Sequence, residues 1–566
     1  MSDIIPRTEA WITGDPDPES RRELEALIAE ARLDELADRM AGTLEFGTAG
    51  LRGRVEAGSN RMNRAVVIRA TRGLADHILA TSDEARGPVV VGRDARLSSP
   101  RFLGDVVGVL VAAGLPVRFV DRPCPTPVIA YLAKSFGAVA AVVVTASHNP
   151  PADNGYKVYA SNAVQIVPPE DRLISDAIAE VGPACDVPRV EAWSAHPLAS
   201  PVTDGEIEGY VDAVLDAVPD VAADRDLEIV YSAMHGVGGS TVEKVLSRAG
   251  FRHLHTVPAQ FEPDGRFPTV SFPNPEEPGA MDLSTTLALE VGADLVIAND
   301  PDADRLAVGL PEPRGGFRQL TGNQIGVVLA DFLLDHTHLD RPIVIESIVS
   351  SPMLASVASA HGARWERTLT GFKWICNAAR DLEEAGEGNF VFGYEEALGY
   401  SVGRTVRDKD GISAALAFAV MAGASAVAGE SVWDRLGRLY RRHGLWVSTQ
   451  KSVVRQGAAG AGEIAAAMRL LSERRPEALA GMAVTAVTDY REGAGGRPRW
   501  LAATPLVELA LGEHGRALIR PSGTEPKIKI YVDLRSEAGD DWMADERELL
   551  AHAGRVAEAL AEFAGL

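Results

Sequence analysis

The chain has 566 residues, of which 46% are hydrophobic and 24% charged, with three cysteines and a formal net charge of −23. That length is too great for one core and implies roughly three to five domains; the acidic excess argues against nucleic acid or an anionic membrane as partner and leaves any phosphate site dependent on locally placed cations. Cys124, Cys185 and Cys376 lie far apart in no metal-ligand spacing, the N-terminus lacks a basic region followed by an apolar one, and no apolar stretch reaches bilayer length, so no disulfide framework, export or membrane span is expected, and a cytoplasmic protein is.

In chain order, the first predicted element is a helix with Asp17 as N-cap and Pro18 at its first position, carrying the apolar stripe Leu24, Leu27, Ile28, Ala31. Strand-like runs at Val89–Val91, Val117–Val120 and Ala138–Val144 alternate with helical segments, the signature of an α/β domain. The stretch from about Pro183 to Asp204 reads as a connection. Leu227–Tyr231 opens a second α/β unit, and a helix from Gln324 to Leu334 leads into a third. Beyond Gly444 the order changes to a helix near Ala461–Arg474, several strands, and a final helix near Arg547–Phe563, which is α+β. The expected domains are 1–205, 206–322, 323–443 and 444–566. The glycine-rich runs Gly457–Gly462 and Gly493–Gly496 read as flexible turns.

Three loops carry chemistry. Ser147 stands in Thr145-Ala146-Ser147-His148-Asn149-Pro150, just past a short apolar strand of the kind buried on both faces. Open α/β sheets place ligand chemistry at such strand ends, so Ser147 is a candidate nucleophile, a helix N-cap or turn serine being the alternative. In the second loop, Leu295–Ala298 runs into Asn299-Asp300-Pro301-Asp302-Ala303-Asp304-Arg305. Alternating carboxylates repel one another unless a cation sits among them. An EF-hand fails, because Arg305 stands where glycine is needed and Pro311 where glutamate is needed. A few hard oxygens suit Mg²⁺, whose shell phosphate and water complete; a solvated acidic turn is the alternative. In the third loop, Arg516–Ile519 leads into Arg520-Pro521-Ser522-Gly523-Thr524-Glu525-Pro526 and the alternating strand Lys527–Val532. A forked cation with two hydroxyls and a glycine makes a phosphate cradle, against the alternative of a plain hairpin turn.

These loops, together with Gly47-Thr48-Ala49-Gly50-Leu51-Arg52-Gly53 and the segment Gly393-Tyr394-Glu395-Glu396-Ala397-Leu398-Gly399-Tyr400, resemble in kind and order the α-D-phosphohexomutase superfamily. The resemblance spans Gly47 to Leu534. It implies three α/β domains with mixed sheets and a C-terminal α+β domain around a central cleft, each giving one loop to the site. It further implies an isomerase, an intramolecular phosphotransferase that interconverts the 1- and 6-phosphates of glucose or mannose through a phosphoserine and a bisphosphorylated sugar. Carried over by position, Ser147 is the phosphoserine, and it ligates Mg²⁺ with Asp300, Asp302 and Asp304. Arg52 and His148 lie beside it, Lys157 is the active-site lysine, and Arg305 follows the metal ligands. Lys373, in Thr370-Gly371-Phe372-Lys373, and Glu395 meet the sugar, while Arg520, Ser522, Gly523, Thr524 and Lys527 hold phosphate. A small phosphosugar as partner, a sugar bisphosphate as activator and a monomer or homodimer complete the expectation.

A phosphoserine is a loaded donor whose charge must be neutralised, and phosphoryl transfer depends mostly on positioning and electrostatics. The sugar hydroxyl also needs a proton acceptor that later donates. Lys157 and His148 are the candidates, Lys157 requiring a lowered pKa.

The sugar segment departs from the common pattern by placing Ala397 where serine is usual. With Asp15-Pro16-Asp17-Pro18 and Asn274-Pro275-Glu276-Glu277-Pro278, it resembles the phosphoglucomutase-2 branch, which adds a phosphopentomutase or a sugar bisphosphate synthase as alternatives. A silent sugar-phosphate-binding protein would keep Arg520, Ser522 and Thr524 but lose Ser147 or an aspartate. A phosphatase with an aspartate nucleophile would need neither Ser147 nor the terminal phosphate loop.

Overall fold

The structure, a computed structural model, describes residues 3–46, 50–81, 87–455, 457–522 and 527–566. The chain divides into two compact units, Met1–Val218 with Arg225–Leu320 and Gly399–Ala419, and Pro219–Asp224 with Thr321–Leu398 and Val420–Leu566.

In the first unit, helices Ile4–Gly14, Pro18–Ala29 and Leu33–Arg39 close around Ile4, Leu24, Leu27, Leu36 and Met40. The Asp17 side chain accepts the Glu19 N–H with Pro18 beside it, as the sequence predicts. The helix Ile4–Gly14 is an addition, and Pro6 is tolerated in its first turn, where no N–H is needed. Among the described residues a six-stranded mixed sheet follows. Val89–Arg93, Val117–Pro123, Ala140–Val144 and Ala199–Pro201 run parallel; Asp153–Tyr159 pairs antiparallel with Ala140–Val144, and Leu51–Arg54 antiparallel with Asp153–Tyr159. The predicted connection from Pro183 to Asp204 therefore contains an edge strand, Ala199–Pro201, recruited by backbone pairing with Val117–Phe119.

A second mixed sheet joins the parallel strands His253–Thr256, Glu228–Ser232 and Leu295–Ala298 to Ala307–Pro311 and Phe317–Gln319, which continue it antiparallel. The central strands of both sheets, Val89–Arg93 and Ala140–Val144 in the first and Glu228–Ser232 and Leu295–Ala298 in the second, are almost wholly buried, and the chain turns polar where Ala140–Val144 and Leu295–Ala298 end.

In the second unit, Arg364–Thr368, Pro342–Ser347 and Asn389–Glu395 run parallel. The helix before them is Gly322–His336, two residues longer at its start than expected, because Thr321 and Gln324 form a reciprocal capping box. The C-terminal part is an antiparallel sheet in the order Leu445–Val454, Lys527–Ser536, Gly515–Pro521, Val507–Ala510, Ala486–Asp489, packed against helices Gly457–Glu473 and Trp542–Phe563. The glycine-rich run at 457–462 is thus helical and not a turn. Ile464, Ala467, Met468 and Leu471 bury one stripe at helical spacing, and that burial offsets the helical cost of glycine, about 1 kcal/mol per residue. The architecture is α/β with a C-terminal α+β part, as read from the sequence.

Candidate active site

Two strand ends and one antiparallel pair build the site in the first unit. Ser147 follows the strand Ala140–Val144 in a left-handed conformation with φ 50°, strained for a residue with a Cβ. Its N–H donates to Thr145 Oγ1 at 2.8 Å and its Oγ donates to Asp300 Oδ2 at 2.7 Å. Asp300 itself lies just past the strand Leu295–Ala298. There the backbone turns through Ala303 at φ 60°, and the Ala303 N–H bonds the Asp300 carbonyl at 2.9 Å. All three aspartates are buried, and one carboxylate oxygen of each lies within 4.8 Å of the other two.

The strand Asp153–Tyr159 brings cations to these carboxylates. Its pairing with Leu51–Arg54 sets Arg52 opposite Gly155, where a Cβ would stand 2.5 Å from the Thr145 carbonyl oxygen and 2.7 Å from that of Leu51. Only glycine fits that close approach. Lys157, on the same strand and fully buried, reaches Asp302 Oδ2 at 2.8 Å and Asp304 Oδ2 at 2.9 Å. Arg52 donates to Asn149 Oδ1 at 2.9 Å, and its Nε is buried without a partner. Arg305 bonds Asp300 Oδ1 through its backbone N–H at 3.0 Å and Glu276 Oε2 through Nη1 at 3.1 Å. His148 sits between Ser147 Oγ, 3.1 Å from its Nδ1, and Arg305 Nη2, 3.3 Å from its Nε2.

Charge follows from this packing. Burial, with the other two carboxylates, pushes Asp300 well above the usual carboxylate range. Burial pushes Asp302 and Asp304 the same way, but Lys157, joined at Asp304 by Lys409, outweighs it and holds both below that range. Burial, Arg305 and Arg52 hold the His148 imidazole well below its ordinary value. Lys157 moves opposite to the sequence expectation: burial lowers it, yet Asp302 and Asp304 prevail and raise it.

Asp302 Oδ1 and Asp304 Oδ1 are buried with no hydrogen-bond partner. Buried carboxylate oxygens are seldom left unmade, and a divalent cation with hard-oxygen preference satisfies both. The donor set fits Mg²⁺, with Ser147 Oγ at its edge.

Three residues of this site were not read from the sequence. Thr126, at the start of helix Thr126–Ser135, donates its hydroxyl to Asp302 Oδ2. Arg96 donates to the carbonyls of Ser147, Pro150 and Asp153 in and after the serine loop. Lys409 reaches Asp304 Oδ2 at 2.9 Å. The signal for Lys409 was the run Arg407-Asp408-Lys409-Asp410, a dense charge cluster directly before the apolar helix Gly411–Val427; Arg96 stands in the similar run Arg93-Asp94-Ala95-Arg96 at the end of the apolar strand Val89–Arg93, and Thr126 carries no such mark.

The remaining candidates lie in the second unit. Glu395 Oε1 accepts the Gly371 N–H at 2.7 Å, and Gly371 has φ 108°, a conformation that favours glycine. Glu396 is drawn away from Glu395, accepting from Ser347 Oγ at 3.1 Å. Lys373 is buried at the start of helix Phe372–Glu384. Arg520 donates to Thr370 Oγ1, and the Ser522 N–H bonds the Lys527 carbonyl at 2.8 Å, which draws the ends of the phosphate loop together. Gly523 and Thr524 lie outside the described residues.

Four family models match the chain in order: the phosphoglucomutase/phosphomannomutase alpha/beta/alpha domains I, II and III at residues 43–183, 208–312 and 321–442, and the C-terminal domain at 474–549. A protein of Haemophilus influenzae named "Probable phosphomannomutase" is 38% identical over 486 residues, 85% of this chain and 94% of that one. The phosphopentomutase of Mus musculus is 33% identical over 565 residues, 94% of this chain and 90% of its own. Among solved structures, the open form of parafusin, a phosphoglucomutase from Paramecium, superposes with a TM-score of 0.68 at 18% identity, covering 92% of this chain and 96% of that one, a likeness of fold.

Proposed function

Because this chain belongs to the phosphoglucomutase/phosphomannomutase family, whose members are phosphosugar mutases, we propose that it interconverts the 1- and 6-phosphates of glucose or mannose through a phosphorylated Ser147. The observation that carries this reading is Ser147 Oγ, held 2.7 Å from Asp300 at the edge of three buried carboxylates with two unmatched oxygens.

In the proposed reaction the oxygen of a sugar hydroxyl attacks the phosphorus on Ser147 as the bond from phosphorus to Oγ breaks, and a sugar bisphosphate forms. The bisphosphate turns over, its other phosphate returns to Ser147, and the enzyme is restored. Asp300, Asp302 and Asp304 would hold Mg²⁺, which when bound would supply neutralisation of charge on the transferring group. Arg52, bonded to Asn149 in the serine loop, and Arg305, bonded to His148, supply positive charge beside Ser147. His148 hydrogen-bonds Oγ and steadies the charge that returns there on each cycle. The hydroxyl proton needs an acceptor beside Ser147, and His148, 3.1 Å from Oγ, is the side chain in place; Lys157, paired with Asp302 and Asp304 and raised by them, keeps its own proton. Glu395 and Lys373 recognise the sugar, and Arg520, Ser522 and Lys527 its stationary phosphate. A sugar bisphosphate primes the unphosphorylated enzyme.

A second reading, phosphopentomutase, is favoured by Ala397, which offers no hydroxyl beside Glu395, and by the extent of the match to the murine phosphopentomutase.

The test is mass spectrometry after incubation with glucose 1,6-bisphosphate. One phosphoryl group is expected on Ser147, and Ser147→Ala should lose turnover by orders of magnitude with its fold intact. Full activity in that variant would sink the covalent mechanism.

A further inference from the structure

The loop that presents Ser147 hangs on a buried side chain that the reaction does not touch. Arg96 follows the strand Val89–Arg93 and is 1% exposed. Its Nη1 donates to the carbonyls of Pro150 at 2.7 Å and Asp153 at 2.8 Å, and its Nη2 donates to the carbonyls of Ser147 at 2.8 Å and Asn149. Asp94 stands 3.3 Å from Nε and also accepts the Arg96 N–H at 2.9 Å and the Ser99 hydroxyl at 2.6 Å, which fixes the root of the side chain.

One face of the guanidinium is covered by the ring of Phe267, 5.2 Å away. That ring is brought in by a close backbone approach, since a Cβ on Gly265 would stand 2.4 Å from the Ala95 carbonyl oxygen and 2.7 Å from Arg96 Cα. Neither Gly265 nor Phe267 belongs to the serine loop; both come from the segment between Phe261 and Asp282.

Four carbonyl oxygens converging on one point repel one another unless donors sit among them. A planar fork with five N–H donors matches that arrangement, whereas an ammonium offers three donors from a single point. The grip also bears on conformation. Ser147 holds a left-handed φ of 50° that local sterics disfavour, and the direction of its carbonyl, fixed by Arg96, sets the peptide plane after it. Release of that carbonyl frees the backbone to relax and swings Oγ away from Asp300.

We propose that Arg96 is a positioning residue for phosphoryl transfer: by gripping the carbonyls of Ser147, Asn149, Pro150 and Asp153 under the cover of Phe267, it aims Ser147 Oγ at the aspartate cluster. The role rests on the reading of Ser147 as phosphoryl carrier. Arg96 touches no reacting atom, so its loss acts on the rate of transfer and leaves substrate binding in place.

The experiment compares wild type with Arg96→Lys. Ser147 phosphorylation by glucose 1,6-bisphosphate is followed by quenched mass spectrometry, alongside steady-state kinetics and thermal melting. Arg96→Lys should melt as a folded protein, with phosphorylation rate and kcat each down about 10²-fold, the scale of a nucleophile displaced by an ångström, and KM unchanged. A wild-type kcat, or a loss carried by KM, overturns the proposal. If Arg96→Lys does not fold, Phe267→Leu uncovers the guanidinium with all its hydrogen-bonding groups retained; a lower kcat at unchanged KM supports the role and a wild-type kcat overturns it. A wild type that never carries phosphate on Ser147 overturns the reaction and this role together, whereas a phosphorylated wild type matched in rate by Arg96→Lys overturns this role alone.

Discussion

Thr126 holds Asp302 by two bonds at once: its hydroxyl donates to Asp302 Oδ2 at 2.7 Å, and its backbone N–H donates to the Asp302 carbonyl at 3.0 Å. The first fixes the carboxylate and the second fixes the turn that bears it. Because Oδ2 is engaged by Thr126 and Lys157, Oδ1 is the oxygen left for a cation.

Thr126→Val keeps the shape and the backbone bond but removes the hydroxyl, so Asp302 loses one of the two donors that orient it. Outer partners of metal ligands typically contribute a factor of 10 to 100, and a loss of about tenfold in Mg²⁺ affinity is expected. Calorimetric titration of Mg²⁺ and the Mg²⁺ dependence of turnover should shift together. Unchanged affinity would show that Lys157 and the turn suffice to orient the carboxylate.

Ala397 bears on substrate choice. A site that hydrogen-bonds a particular hydroxyl rejects sugars that lack it, because its own polar group is left unpaired. Alanine makes no such demand, so pentose 1-phosphates should be turned over alongside glucose 1-phosphate. Ala397→Ser should move the ratio of kcat/KM towards hexose by about fivefold, the worth of one net hydrogen bond, about 1 kcal/mol. Strict hexose preference in the wild type, unchanged in the serine variant, would assign the choice to other residues.

What the sequence made legible follows from how local each signal is. Ser147 and the three aspartates stand at the ends of short apolar strands, and strand ends are visible as a switch from apolar to polar residues. Arg96 stands at such a switch too, after Val89–Arg93, but its partner lies 51 positions away, and Thr126 acts across 176; the local pattern does not say what either side chain reaches. The helix Gly457–Glu473 was misread at its start because the glycine signal is local, whereas the core that stabilises it is built from strands as far away as Leu534. Glu396 shows the limit at a single position: Ser347 and Ser350 take it out of the sugar segment, and nothing in Glu395-Glu396 says which of the two carboxylates they take.

Arg516 organises the buried charge of the second unit. Its Nε donates to Asp533 Oδ2 at 2.8 Å and its Nη2 to the Ser350 carbonyl at 2.6 Å. Arg516→Met leaves Asp533 buried with only the Ser448 hydroxyl as donor, and removal of one partner of a buried pair costs roughly 3–5 kcal/mol. The urea midpoint should fall markedly and recover in part when Asp533→Leu is added, since the orphaned charge is then gone. A midpoint within error of wild type for Arg516→Met would mean that water reaches Asp533.

Glu346 sits in the strand Pro342–Ser347 near the same charges, 2% exposed, with the Trp365 indole N–H donating to its Oε1 at 3.0 Å and its Oε2 without a partner. Burial pushes its carboxyl up to about 8, against the opposing pull of Arg516. A carboxyl raised in the folded state is protonated there while the unfolded chain has already ionised. Its contribution to stability is therefore complete below the unfolded value of 4.5 and is lost as pH rises through about 8. Glu346→Gln keeps the acceptor for Trp365 and can never ionise. Melting curves taken between about pH 5 and 9 should show the wild type losing more stability than the variant, with the gap opening over that window and levelling above it. Parallel curves across the window would mean that Glu346 is already ionised in the folded protein, with Arg516 holding its charge.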